Sequence, residues 1–282
     1  MTMDEYRAEL RSRVAYLKNL YVQNKIKLKA GEGLCADLEV ANALTQTGGT
    51  PRRDQANAAH VVWNLVEVIR PCVEAGLDVS NHLANITTGT TDYGVPADPN
   101  SKKRFYKDFE FELLITSSLI KKGLVPQLLG NDPRGELLIG NVFIEAKHPN
   151  KVSGIEKHMN KFNGKMKKSD SYGVFAVAIE DASGLGDSVF DNKKEHEQWF
   201  HLKLKEMLAF EPQLIEGAKR CCRIGGIVQI ATEFEVEDGV STLRRFSNAQ
   251  IFDRPRMDTT CRQNIEAITK TFNPNPQIIR VA

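Results

Sequence analysis

Apolar residues in the first ninety positions recur every three to four residues. Tyr6, Leu10, Val14, Leu17 and Tyr21 are spaced four, four, three and four apart, which puts them on one stripe of a helix. A shorter helix is predicted over Leu34 to Leu44, closed by Gly48-Gly49. A third is predicted over Asp54 to Ala75, with Val61, Leu65 and Ile69 on one side and a kink expected at Pro71. No reactive groups gather here, so residues 1–97 read as a helical region for packing, self-association or docking of a partner.

From Thr87 to Ser101 the chain reads TTGTTDYGVPADPNS, a composition that breaks regular structure and marks a domain boundary. Beyond it, residues 98–282 alternate between helical and strand-like patterns. A helix is predicted over Lys103 to Lys122. Strands follow at Leu124–Leu129, Glu136–Ile139 and Val142–Lys147. A helix over Gly154–Lys168, opened by a Ser153/Glu156 capping box, leads to a buried strand at Tyr172–Ile179. A further helix fits Asn192–Phe210. A strand pair fits Gly226–Val236 and Arg244–Phe252, with Glu237-Asp238-Gly239 in its turn, and a last helix fits Thr259–Thr271. The expected class is α/β (α+β), with a mixed central sheet flanked by helices.

Composition narrows the function only a little. Apolar content is 41% and the formal net charge +2, so a packed core is expected and local charge clusters must identify any polyanionic partner. Five cysteines without a C-x-x-C pair argue for free thiols rather than a disulfide framework or zinc site. The N-terminus MTMDEYRAEL lacks the apolar core of a signal peptide, and the longest apolar run, VFAVAI, is too short to cross a bilayer. A cytoplasmic protein without membrane contact is the expectation.

The candidate chemistry lies in GELLIGNVFIEAKHP, residues 135–149. Two apolar runs joined by Gly140-Asn141 predict a tight hairpin. That turn pairs Ile139 with Val142, Leu138 with Phe143, Leu137 with Ile144, and Glu136 with Glu145. The period of two puts Lys147 on the same face as Glu145. Like charges facing each other across a sheet destabilise it unless a cation sits between them, and carboxylate oxygens suit a hard divalent ion. The bland alternative is an edge hairpin carrying solvated charges. In the preceding helix, Glu112 falls on the stripe of Phe105, Phe109, Thr116 and Leu119. Glu110 aligns instead with Lys103, Ser117 and Lys121, which predicts a solvated position.

The order helix–strand–strand–strand–helix–strand, with an acid opening the second strand and Glu-x-Lys closing the third, resembles the PD-(D/E)XK nuclease superfamily over Lys103 to Glu180. The resemblance implies a restriction-endonuclease-like core and Mg²⁺-dependent hydrolysis of phosphodiester bonds, with Mn²⁺ able to substitute. It implies catalytic roles for Glu112, Glu136, Glu145 and Lys147, and metal ligation by Glu112, Glu136 and Glu145. The family's first acid is usually Asp, so Asp132 in NDPRG is the rival to Glu136. The resemblance offers restriction, repair and phage defence as settings. A second possibility keeps the fold with a decayed centre, as a subunit that binds nucleic acid or assembles with a partner.

The helix after the hairpin carries an apolar stripe of Ile155, Met159, Phe162 and Met166. Beside it runs a basic stripe of Lys157, Lys161, Lys165 and Lys168, with Lys151 just before. Such a row is ordinarily a solvated face; beside a nuclease-like site these five lysines become the expected DNA contacts, since phosphate contacts dominate affinity for nucleic acids. His148 and His158 read as surface or packed residues, and Trp63 and Trp199 as core. Arg244, Arg245, Arg254 and Arg256 are a weaker addition to the basic surface.

Overall fold

A computed structural model of the chain describes residues 2–47, 51–87, 91, 105–130, 132–149, 151–180, 211–237 and 240–281. The predicted helix over 192–210, Trp199 and most of the loop 87–101 lie outside them. Two compact units emerge: Met1–Ser117 with Glu233–Arg244, and Ser118–Thr232 with Arg245–Ala282. The first division falls inside a helix at residues 117/118, whereas composition suggested 97/98.

The first unit is helical apart from the strand residues within Glu233–Arg244. Its helices are α1 (Met3–Gln23), α2 (Gly33–Leu44), α3 (Arg53–Glu74) and α4 (Ser80–Ile86), followed by most of α5 (Phe105–Lys121). The α1 stripe is buried as its spacing predicts, and Val61, Leu65 and Ile69 of α3 are fully inaccessible. α3 continues past Pro71 to Glu74. The short α4 has no counterpart in the sequence reading. Trp63 is half-buried: its ring stacks on Tyr6 at 5.3 Å, and the buried Arg13 guanidinium lies 4.1 Å above it. Arg13 also pairs with Glu9 at 2.7 Å and Glu67 at 2.8 Å, so that cation is compensated.

α5 overturns one expectation. Tyr106, Lys107, Glu110, Phe111, Leu113, Leu114, Ile115, Thr116, Ser117 and Leu119 are all buried, so no solvated face exists along most of its length. Glu110, predicted to be solvated, is 4% exposed and accepts a hydrogen bond from Asn64 Nδ2 at 2.8 Å. Glu112 is only half-buried.

The second unit is built on a seven-stranded mixed sheet in the order β1 to β7. These strands are β1 (Gln127–Leu128), β2 (Leu137–Ile139), β3 (Val142–Lys147), β4 (Tyr172–Ala178), β5 (Ile224–Glu237), β6 (Val240–Asp253) and β7 (Gln277–Arg280). β1, β2 and β3 run antiparallel; β3 to β4, β4 to β5 and β6 to β7 run parallel. α6 (Val152–Lys168) makes the crossover between β3 and β4, and a helix over 211–220 (α7) precedes β5. α8 (Thr259–Phe272) separates β6 from β7. Strands covered on both faces become continuous apolar runs. β4 accordingly is buried at all seven positions.

The apolar stripe of α6 packs as predicted, with Ile155, Met159, Phe162 and Met166 buried against Phe143, Phe175 and Val177. Its start differs. The helix begins at Val152 behind Lys151, and no side chain caps it, so the predicted Ser153/Glu156 box does not form. Arg254 is no surface cation either. It is 4% exposed, and its guanidinium donates to the carbonyls of Ala218, Lys219, Cys221 and Ile224 at 2.7–3.2 Å. The cysteines are free as expected, with Cys72, Cys221 and Cys261 buried, Cys35 intermediate and Cys222 exposed.

The hairpin turn has a definite backbone signature. Of its two residues only Gly140 takes a positive φ, 57°, which suits glycine at the first central position. A Cβ at Gly140 would overlap the amide nitrogen of Asn264 on α8, and the same nitrogen donates to Asn141 Oδ1 at 3.1 Å. Gly140→Ala should therefore cost about 1–3 kcal/mol, from left-handed strain with the contact added, read as a lower midpoint in urea denaturation. A variant with an unchanged midpoint would show that the tip relaxes freely.

Among the described residues, no helix is long and apolar enough to cross a membrane.

Candidate active site at the β2–β3 hairpin

The hairpin takes the predicted register at Leu137↔Ile144, Leu138↔Phe143 and Ile139↔Val142. Glu136 stands one step beyond the ladder, where its N–H donates to the Ile144 carbonyl at 3.0 Å. Gly135 permits that approach, since a Cβ there would sit 3.0 Å from the same carbonyl oxygen. Glu136 then folds its side chain back across β3, where Oε2 accepts from the Ala146 N–H at 2.9 Å.

Glu145 is the polar exception on a buried strand. It is 2% exposed, and its ladder neighbour on β4 is the fully buried Phe175. A carboxylate in such surroundings costs several kcal/mol unless it is paired. Two ammonium groups meet that cost. Lys165 Nζ, reaching in from α6, lies 3.1 and 2.9 Å from the two oxygens of Glu145. Lys147 Nζ is 3.4 Å from Glu145 Oε1 and also pairs with Glu136 Oε1. The two carboxylates thus meet on one cation, the Lys147 ammonium. Without it, the two negative charges would repel through a partly buried site that screens them less than bulk water does.

The cluster is neither sealed nor open. The side chains of Lys147 and Lys165 are each 24% exposed and that of Glu136 is 15% exposed, so the cationic side faces solvent while Glu145 lies beneath. His158 on α6 is half-buried and feels the same field. Burial first, and then the positive charge of Lys147, hold its pKa below the usual imidazole range. The ladder Lys147↔Val177↔Gln229 adds a residue that periodicity did not single out. Gln229 is 3% exposed, shares the sheet face of Lys147, and has an Nε2 without an acceptor.

The other predicted residues are placed as follows. Asp132 is bound up in its own turn, where it accepts from the Arg134 backbone at 2.8 Å and pairs with the Arg134 guanidinium, also at 2.8 Å. That partner holds its carboxyl at a pKa of about 2. Glu112 belongs to the helical unit, where its Oε2 lies 3.0 Å from Nε2 of the buried His82. A histidine partner therefore explains this acid on an apolar helix without recourse to a metal. Lys151, Lys157, Lys161 and Lys168 are exposed on or beside α6, whereas Lys165, predicted as a phosphate contact, is turned onto Glu145. His148 is buried, not superficial, with Nε2 3.6 Å from Glu180 Oε1.

Among the described residues, no group of three or more His, Cys, Asp or Glu side chains is arranged to hold a metal ion. The acidic donors that meet at the hairpin, among the described residues, are Glu136 and Glu145. No protein-family model, curated protein or solved structure matches the chain.

Proposed function

We propose that the chain is a divalent-metal-dependent nuclease that hydrolyses phosphodiester bonds of DNA. The observation that carries the reading is the meeting of Glu136 and Glu145 on a single ammonium group. A site already shaped for a cation between two carboxylates has the donor chemistry that Mg²⁺ or Mn²⁺ prefers, and Mg²⁺ keeps several of its waters when protein ligands are few. Glu136 and Glu145 would hold the ion; Glu112 remains a third candidate by resemblance alone. Bound there, the metal would supply positive charge to a phosphate and lower the pKa of a coordinated water.

The remaining work falls to the chain's own residues. The Ala146 N–H fixes one oxygen of Glu136 and leaves the other directed at the shared cation. Lys147 carries its protons at the partly exposed mouth of the cluster, where an ammonium can orient a water and offset charge developing on a phosphate. Lys151, Lys157, Lys161 and Lys168 present exposed charge along α6 for backbone phosphates.

The test is incubation of the purified protein with linear duplex, circular and single-stranded DNA, in Mg²⁺, Mn²⁺ or a chelator. Divalent-dependent cutting is expected; intact substrates under every condition would contradict the reading. Restriction, repair or phage defence in the cytoplasm belongs to the same proposal. So does use of the helical unit for self-association or for docking a partner subunit.

One observation favours a second reading. Among the described residues, each glutamate of the cluster already has an ammonium partner, two glutamates facing two lysines, so both acids are paired without a metal. A catalytically decayed subunit that binds nucleic acid or assembles with a partner would look the same. Calorimetry separates the two, because salt-sensitive DNA binding without any heat of Mn²⁺ binding supports the second.

A further inference from the structure

The geometry points to Lys165 as an internal counter-ion that competes with a divalent metal for Glu145 and joins the phosphate-binding face of α6 only when the metal displaces it. The inference rests on the nuclease reading and deepens it by naming how the site is regulated.

Three observations support it. First, Lys165 hydrogen-bonds both oxygens of Glu145, at 3.1 and 2.9 Å, whereas Lys147 stands 3.4 Å from Glu145 Oε1. Any ion held through Glu145 must therefore share or replace the Lys165 contact. Second, Glu145 is already covered by two ammonium groups, so a divalent ion added without release of one of them would crowd positive charge beside a buried carboxylate. Both lysine side chains are 24% exposed, but Lys165 has the freer route out, because it is anchored on α6 among exposed lysines and pairs with Glu145 alone of the two acids. Lys147, by contrast, is fixed at the end of β3 between both acids. Third, the spacing of Lys157, Lys161, Lys165 and Lys168 places Lys165 in the middle of an otherwise exposed basic row. Swung away from Glu145, its ammonium fills the gap in that row.

Metal and DNA then become coupled ligands. Metal frees a lysine for phosphate, and by linkage a phosphate that captures Lys165 strengthens metal binding by the same factor. Without metal the protein holds DNA with an incomplete row and the acids neutralised. The device would keep the centre unloaded until DNA is present.

The test uses the full chain and two probes, Mn²⁺ alone and a short DNA duplex in chelator. Lys165→Met removes the competitor, and Lys165→Gln keeps a hydrogen-bond donor without the charge. Lys219→Met, outside the cluster and paired with Glu216, controls for the loss of one positive charge. By calorimetry, both Lys165 variants should bind Mn²⁺ at least about fivefold tighter than wild type, the lower end of ordinary coupling factors. Lys219→Met should bind it as wild type does. In chelator, Lys165→Met should bind duplex DNA with the wild-type salt slope, because Lys165 is tied to Glu145. Lys161→Met should lower that slope by about one.

Wild-type Mn²⁺ affinity in folded Lys165→Met and Lys165→Gln would overturn the inference and leave the nuclease reading standing. So would a reduced salt slope for Lys165→Met in chelator. Absence of Mn²⁺ binding by wild type and both variants would overturn the metal-dependent reading itself, and the inference with it.

Discussion

On the nuclease proposal, Glu145→Ala should abolish divalent-dependent cleavage, with a rate at least about a thousandfold below wild type. The expected loss corresponds to about 4 kcal/mol of transition-state stabilisation, the scale of a lost metal charge. Lys147→Ala falls by about a hundred- to a thousandfold, the usual cost of removing one preorganised donor to developing negative charge. Both variants should remain folded. In Glu145→Ala the two lysines reach solvent through side chains that are each 24% exposed, and in Lys147→Ala the Lys165 ammonium still covers Glu145. Circular dichroism checks that point. Asp132→Ala discriminates the first acid. Its carboxylate serves a turn with Arg134, so the variant should stay within a few-fold of wild type. A drop as large as that of Glu136→Ala would transfer the role to Asp132.

Arg254→Met should cost the largest amount of stability, about 3–5 kcal/mol, because several buried carbonyls lose their donor at about 1–3 kcal/mol each. Its guanidinium gathers three carbonyls at the end of α7 and one from β5. Helix ends leave their last carbonyls without intrahelical partners, and here a single side chain supplies donors to them. Methionine fills similar volume and donates nothing. Chemical denaturation with urea measures the change. A loss under 1 kcal/mol would mean that water reaches those carbonyls in the variant.

The parts of this structure legible in the sequence are those set by short-range rules. Gly140-Asn141 between apolar runs fixes a three-pair register, and the apolar steps of three and four in α1 and α6 fix their buried faces. What escaped depends on distant partners. Periodicity assigns a face only when one side of a helix meets water. α5 is buried nearly all round, so Glu110, assigned to solvent, hydrogen-bonds Asn64 forty-six residues away. Lys165 belongs to a solvated-looking basic row, yet its partner is twenty residues earlier on a neighbouring strand. Arg254 looked like surface charge because nothing local signals a helix end more than thirty residues before it. The short elements α4 and β7, seven and four residues long, carry too little pattern to register.

The placing of a cation by Glu136 and Glu145 is best tested by anomalous diffraction from crystals soaked in Mn²⁺. A manganese peak ligated by both carboxylates is expected, with Lys165 turned off Glu145 toward the exposed face of α6. A map with no peak at the hairpin, and with Lys147 and Lys165 still paired to the two glutamates at saturating Mn²⁺, would contradict it.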